Sequence, residues 1–466
     1  MEPRVAALVL AAGASARFGG GKLLAMLEGR PLLQHVLDRT AEAGLHEVVV
    51  VLGRDADALE AAIQWRHETR VRNPAPEQGL ASSLAVGMAS VDSAVDTLLV
   101  MLGDQPLVAI STIRALLDAP VDPSRPVVVP VYPSDAGRNP VLLRRTAFGL
   151  GEAALGDRGL GPVIAAHPEL VQEVAVTGHN PDVDTREDLA RVLEESWAER
   201  VRANREQVDR FREVPDGADF YAPVQSLFRE DPTRTDDPTL NHLLDLLRPG
   251  ETWLDVGAGA GRFALPIARA LDESGGSVVA LDPSTSMLDG LREIADDYDI
   301  ENIDAVHARW PPSNVSNFEA DVVLIAHVGY DIEDIGPFVD ALELAAGRIC
   351  VAVLMERQPS AIADPFWPPV HGEERVSLPA LPEFVALLEA RERRPSVTML
   401  EREPRRFASR DELVGFLRRQ LWIEPGGAKD KRFEDALNSL VDETHDGFGI
   451  VGQRSLPVGV VTWAPR

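Results

Sequence analysis

The sequence predicts two doubly wound, three-layer α/β/α domains in one chain. Three observations carry that prediction: the length, the alternation of buried apolar runs with helical periodicity, and two Gly-rich loops that each follow such a run. At roughly 150 residues per domain, 466 residues suffice for two or three domains. The 45% hydrophobic and 26% charged content is that of a globular protein, which excludes a disordered chain or a fibrous repeat.

The elements follow in order. Val5–Leu10 is a continuous apolar run that ends in a Gly-rich loop, as a strand buried on both faces does. Pro31–Ala43 has helical spacing, and Glu47–Leu52 is a second buried strand. Leu98–Leu102, Pro126–Val131 and Val171–Val176 repeat the strand pattern with helical stretches between them, which predicts a mainly parallel sheet covered on both faces. From Glu187 to about Arg212 the chain is strongly charged and helical, and Val214-Pro215-Asp216-Gly217 reads as a turn. After a lead-in with Tyr221 and Phe228, a new strand, loop and helix begin at Trp253. Ser277–Leu281, Ala320–Ile325 and Arg348–Leu354 resume the alternation, and Val458–Trp463 reads as a closing strand. The expected division is a first domain over 1–197, a helical linker over 198–235 and a second domain over 236–466.

Acidic residues outnumber basic ones 74 to 46, giving a formal charge of −28. A field of that sign repels nucleic acid and anionic lipid, so small molecules are the expected partners. The one cysteine, Cys350, excludes an internal disulfide framework and a Cys-rich zinc site. No apolar run approaches the roughly 18 residues of a membrane span. Met1-Glu2-Pro3-Arg4 does not open a secretory leader, so a cytoplasmic protein is expected.

The first loop, Leu10 to Lys22, carries the most chemistry. Small residues let backbone N–H groups approach a polyanion, while Arg17 and Lys22 supply fixed positive charge. It lacks the Walker spacing. Asp104 stands just past the strand Leu98–Leu102, where open α/β sheets place their ligands. Nucleotidyl transfer needs a divalent cation on the phosphates, and Mg²⁺ takes one or two carboxylates plus phosphate and water.

The pattern L-A-A-G-x-S-x-R-x-G-x-x-K-L-L resembles the signature of the MobA-like nucleotidyltransferases. Further matches follow in order: Asn73-Pro74, Gly79 to Leu84, Leu102-Gly103-Asp104-Gln105-Pro106-Leu107, Arg138-Asn139-Pro140-Val141, Gly156-Asp157-Arg158-Gly159 and Asp182 to Leu189. Together they span about the first 195 residues. Ala12, and Gly103-Asp104-Gln105-Pro106 around the metal carboxylate, are most similar to the molybdenum cofactor cytidylyltransferase (MocA-like) branch, which implies CTP over GTP. The resemblance implies Mg²⁺ on Asp104 and Asp184, with Asp182 the competitor for the second place. It also implies catalytic roles for Arg17, Lys22 and Asp104, and nucleotide contacts at Leu10, Ala11, Ala12, Gly13, Lys22, Asn73 and Ser83. The implied acceptor is a molybdopterin-type molybdenum cofactor, the products are its CMP adduct and pyrophosphate, and the implied protein partner is a molybdoenzyme or its chaperone. A sugar or alcohol phosphate is the alternative acceptor.

In the second half, Trp253 to Phe263 is again strand, Gly loop and helix, with G-x-G-x-G spacing and Asp255 two residues before the first Gly. The next strand ends at Asp282-Pro283-Ser284, where an acid is placed to accept ribose hydroxyls. Over roughly residues 240–360 this resembles the class I S-adenosylmethionine-dependent methyltransferases. It implies cofactor contacts at Asp255, Gly257, Gly259, Gly261 and Asp282, with the methyl acceptor open. Trp310 reads equally as a base-stacking or a core residue. His327 reads first as a hydrogen-bonded structural histidine and second as a base near the acceptor. Arg402–Arg410 reads as a solvated basic face. A cofactor-binding module without methyl transfer is the competing reading of this half.

Overall fold

Val5–Ala11 (β1) is apolar at every position, and Ala6, Ala7, Leu8 and Val9 are fully inaccessible. Such a run belongs in the middle of a sheet covered on both sides. The computed structural model describes residues 4–466 apart from 14, 134–136, 152, 155 and 215–228. Ala14 of the first loop, most of the expected turn at Val214–Gly217, Tyr221 and Phe228 therefore lie outside the described residues, as do Met1, Glu2 and Pro3.

The chain forms two compact units, Met1–Val192 and Leu193–Arg466. In the first, β1 joins Glu47–Leu52 (β2), Thr69–Arg72 (β3), Thr97–Leu102 (β4), Val127–Val131 (β5), Val141–Arg144 (β6) and Val171–Ala175 (β7) in a seven-stranded sheet of order β3-β2-β1-β4-β6-β5-β7. All neighbours are parallel except β6, which runs antiparallel to both β4 and β5. The sheet is thus mixed, and β3 and β6 are strands that the apolar pattern does not announce. β3 is an edge strand in which Thr69, Arg70 and Arg72 are exposed, so it never had to be apolar. One face packs Leu8, Val51, Leu84 and Val100, and the other packs Val9, Leu37, Val50 and Leu99. Alternate residues of single strands feed opposite cores, as strand geometry requires.

The second unit places Thr252–Val256 (β8), Ser277–Asp282 (β9), Ile303–His307 (β10), Ala320–Ala326 (β11), Ala346–Met355 (β12), Ser396–Leu400 (β13) and Val458–Trp463 in another seven-stranded sheet. A small hairpin, Val441–Thr444 (β14) and Gly447–Ile450 (β15), precedes Val458–Trp463 (β16). The order is β10-β9-β8-β11-β12-β16-β13, and β16 lies antiparallel between β12 and β13. β16 is the closing strand expected from the sequence.

Part of the chain beyond residue 360 builds a separate apolar core. Phe366, Trp367, Leu413, Leu417 and Phe433 are buried there, fed by helices Arg410–Leu421 and Ala428–Leu440. Val208 joins the same core from the long helix Arg186–Phe211, whose Trp197 and Val201 are also buried. Along that helix Arg200 reaches Glu383 at 2.6 Å. Residues 193–211 therefore pack as part of the second unit rather than as a free connection.

Candidate active sites

The first site is built at the carboxyl ends of β1 and β4. β1 feeds the loop that carries Arg17 and Lys22, and β4 presents Asp104 two residues past its end. Lys22, only 8% exposed, points its Nζ at Asp104 Oδ2 (2.5 Å) and Asp184 Oδ1 (3.3 Å). Arg17 closes on Asp184 Oδ2 at 2.8 Å from an exposed position, so its contact is screened and weak beside that of Lys22. A buried ammonium needs such partners, because an unpaired charge there costs several kcal/mol or more.

Asp182 is turned to other work. Its Oδ1 accepts from Gln105 Nε2 at 2.5 Å, and Gln105 Oε1 accepts from buried Asn180 at 3.2 Å. Burial raises the Asp182 carboxyl above its ordinary range, and the charges of Asp104 and Asp184 add to that shift. Gln105 stood in the sequence only as part of the Gly103-Asp104-Gln105-Pro106 motif, with no side-chain role assigned to it.

Asn73 and Ser83 come together, but with each other. Asn73 Nδ2 donates to Ser82 Oγ (2.8 Å) and Ser83 Oγ (3.0 Å), and Asn73 Oδ1 accepts from Ala75 N–H at 2.9 Å. The Asn73 side chain thus ties the loop after β3 to the start of helix Leu80–Ser90. Gly53, a residue sequence reasoning missed, follows β2. A Cβ there would stand 2.5 Å from the Ala12 carbonyl oxygen, so only glycine permits this approach to the first loop. Beside Leu10 and Leu102 lies a cavity of about 400 Å³, also bounded by Leu80, Arg138, Asn139 and Arg158. Motifs in five separate stretches of sequence meet at this one apolar hollow, which Arg138 and Arg158 border.

Two carboxylates on one ammonium form a hard-oxygen donor pair suited to Mg²⁺, which needs few protein ligands when phosphates and water complete its shell. Among the described residues, no group of three or more His, Cys, Asp or Glu side chains is placed to hold an ion by itself.

The second site stands at the carboxyl ends of β8 and β9. Gly257, Gly259 and Gly261 all have positive φ. A Cβ at Gly261 would strike Leu265 at 2.7 Å, whereas one at Gly259 would meet open space. Asp282 holds this loop: Oδ2 accepts from Gly259 N–H and Oδ1 from Ser284 N–H, each at 2.8 Å. Asp255 is buried, its Oδ1 has no hydrogen-bond partner, and burial with the nearby Asp282 charge lifts its carboxyl to about 7. An open glycine backbone beside an anchored acid fits the S-adenosylmethionine skeleton.

Trp310 is a core residue, 7% exposed and edge-on to Phe318 at 6.3 Å. His327 departs from the first expectation. Its ring makes no hydrogen bond among the described residues, its Nδ1 is buried without a partner, and its φ is 58°.

Comparison with known proteins decides the family. Residues 7–173 match the MobA-like NTP transferase domain, and residues 254–342 match a methyltransferase domain. Nicotine blue oxidoreductase of Paenarthrobacter nicotinovorans is 31% identical over 208 residues, which is 41% of this chain and 97% of that protein. The chain belongs to the MobA-like NTP transferases, and it carries a methyltransferase domain. Bifunctional protein GlmU of Sinorhizobium fredii is 34% identical over 118 residues, so this chain spans only 26% of that relative and shares 25% of its own length. Among solved structures, Rv0371c from Mycobacterium tuberculosis is 33% identical, with a TM-score of 0.38 over 42% of this chain and all (100%) of that one. The MobA-like chain thus pairs an NTP transferase domain with a methyltransferase domain. Among its described residues no helix is long and apolar enough to cross a membrane.

Proposed function

We propose that the first unit transfers CMP from CTP to a molybdopterin-type cofactor phosphate and releases pyrophosphate. The observation that carries this reading is the convergence of Asp104 and Asp184 on the buried Lys22, at the mouth of the Gly-rich loop. Asp104 and Asp184 would hold Mg²⁺, which supplies charge neutralisation on the triphosphate. Asp184 takes the second place because Asp182 is engaged by Gln105. Lys22 and Arg17 hold negative charge that develops on the phosphates, and donors already fixed in position do so without reorganisation. The attacking group is the acceptor's own phosphate oxygen, so no protein nucleophile is required. The cavity between Leu10 and Arg158 seats the acceptor, its apolar wall against a ring system and its guanidinium groups against a phosphate.

The second unit transfers a methyl group from S-adenosylmethionine, with the backbone of Gly257–Gly261 against the methionine portion and Asp282 at the ribose. Both units act on small molecules, and the net charge of −28 argues against nucleic-acid substrates.

The deciding experiment is pyrophosphate release by the full chain with Mg²⁺ and molybdenum cofactor, comparing CTP with GTP. CTP-dependent release supports the proposal. Binding of CTP without release would reject the molybdopterin acceptor and bring sugar or alcohol phosphates forward.

A further inference from the structure

The carboxyl-terminal edge of the second sheet holds a charge arrangement that cofactor binding leaves unexplained. His327 directly follows β11, whose last residue, Ala326, pairs with Val353 of β12. Leu400, which ends β13, pairs with Val458, and Val458 pairs with Met355 of β12. Arg402 therefore leaves the sheet at the same edge as His327, the edge that also carries the glycine loop and Asp282.

Arg402 and Arg405 reach solvent, and neither has a carboxylate partner among the described residues. Arg405 instead stacks on Phe407 and Phe416 at 4.8 Å from each ring centre. Partial desolvation, then the repulsion of Arg262, lowers Arg402; Arg405 is lowered by desolvation and then by Arg402, with Arg262 and Arg419 adding to it. The nearby acids are largely committed. Asp237 meets Arg262 at 3.1 Å and Arg234 at 3.3 Å, Glu230 meets Arg262 at 3.4 Å, and Glu412 accepts the Ala408 N–H at 3.3 Å. In a chain that carries 74 acidic and 46 basic residues, two neighbouring guanidinium groups, Arg402 and Arg405, with no carboxylate partner among the described residues stand apart.

His327 completes the arrangement. Its strained backbone is fixed by its own N–H, which donates to the Val353 carbonyl at 2.8 Å. Burial, and then Arg402 and Arg262, push its ring down to about 3, so the imidazole is neutral and has a free nitrogen to offer. A neutral donor or acceptor at the same edge as Arg402, which has no carboxylate partner among the described residues, matches an oxyanion, which Arg binds in bidentate fashion.

We propose that the methyl acceptor of the second unit is an anionic small molecule whose carboxylate or phosphate group sits against Arg402, flanked by Arg262 and His327. The proposal rests on the methyltransferase reading of this unit. The basic stretch from Arg402, which reads from sequence as a solvated face, divides accordingly: Arg406 is paired to Asp442 at 2.7 Å, and Arg402 serves the site.

The test is calorimetry on the full chain loaded with S-adenosylhomocysteine, with benzoate, citrate and inorganic phosphate as probes and benzamide as the neutral control. At least one anion is expected to bind while benzamide does not, and the carboxylate and phosphate arms identify the group preferred. Arg402→Ala should weaken that anion by about tenfold or more, as loss of a charge-assisted contact does. Arg406→Ala should leave it unchanged, and S-adenosylhomocysteine affinity should be unaltered in both. If S-adenosylhomocysteine binds but no anion does, or if Arg402→Ala binds the anion as wild type does, the proposal is overturned. Failure of S-adenosylhomocysteine to bind wild type would overturn the methyltransferase reading and this proposal with it.

Discussion

Lys22 and Asp104 meet at 2.5 Å although 82 positions separate them, and the ammonium is nearly buried while the carboxylate opens to solvent. The pair joins the loop after β1 to the turn after β4, neighbouring strands whose register places both ends together. A cation held between Asp104 and Asp184 keeps two carboxylates close that would otherwise repel. Under the proposed function, a divalent ion held by those oxygens would leave the same cation free to meet phosphate.

Asp104→Asn preserves size and removes the charge. Pyrophosphate release should fall by about 10²–10³-fold, the range for loss of one group that stabilises transition-state charge. Thermal stability should change little, because the amide still accepts from Lys22. Retention of more than a tenth of wild-type release would show that Asp104 does not hold the ion.

Lys22→Met separates the two roles of the ammonium. It should tighten Mn²⁺ binding to the nucleotide-free protein, since a competing cation is gone, yet cut turnover by about 10²-fold or more. Titration followed by Mn²⁺ electron paramagnetic resonance reads the first effect and pyrophosphate release the second. Weaker Mn²⁺ binding in the variant would mean that Lys22 organises the carboxylates rather than competing for them.

The two sheets were legible in the sequence because their central strands are buried on both faces, as Val5–Ala11 and Thr252–Val256 are. The edge strand Thr69–Arg72 was not, because an exposed edge carries arginine as readily as valine. Among site residues, Lys22, Asp104 and Asp184 meet as their motif order implied. Gly53 had no signal and Gln105 was visible only as a motif member, since their roles come from a backbone approach to Ala12 and a hydrogen bond to Asp182, neither of which has a local pattern. Asn73 illustrates the opposite case: its motif was visible, but its amide is spent on Ser82 and Ser83. Residues 198–211 of the expected linker pack within the second unit because a charged helix still buries one face, here through Val201 and Val208.

Gly53→Ala tests the backbone approach directly. A methyl group 2.5 Å from the Ala12 oxygen must push the first loop away. CTP affinity should drop by about tenfold or more, a displacement of an ångström being enough to cost far more in rate. S-adenosylmethionine binding, measured in the same preparation, should match wild type. Unaltered CTP affinity would show that the loop relaxes around the added methyl.

Asp255 sets a pH dependence in the second unit. Its carboxyl is raised from the ordinary 3.8 to about 7, first by burial and then by Asp282. The folded state therefore holds this proton more firmly than the unfolded chain, and the sign follows from linkage. The contribution is fully present below the ordinary carboxyl value, is lost as pH climbs toward about 7, and is absent above it. Asp255→Asn cannot ionise and keeps the shape, so its stability should not decline across that window. At pH 8 the variant should exceed wild type by something on the order of a few kcal/mol, and near pH 4 the difference should vanish. The urea midpoint of the carboxyl-terminal unit, measured for both proteins from pH 4 to pH 8, reads the effect. Parallel pH profiles for the two proteins would mean that Asp255 ionises inside the fold without penalty, and that its unpartnered oxygen finds water or cofactor.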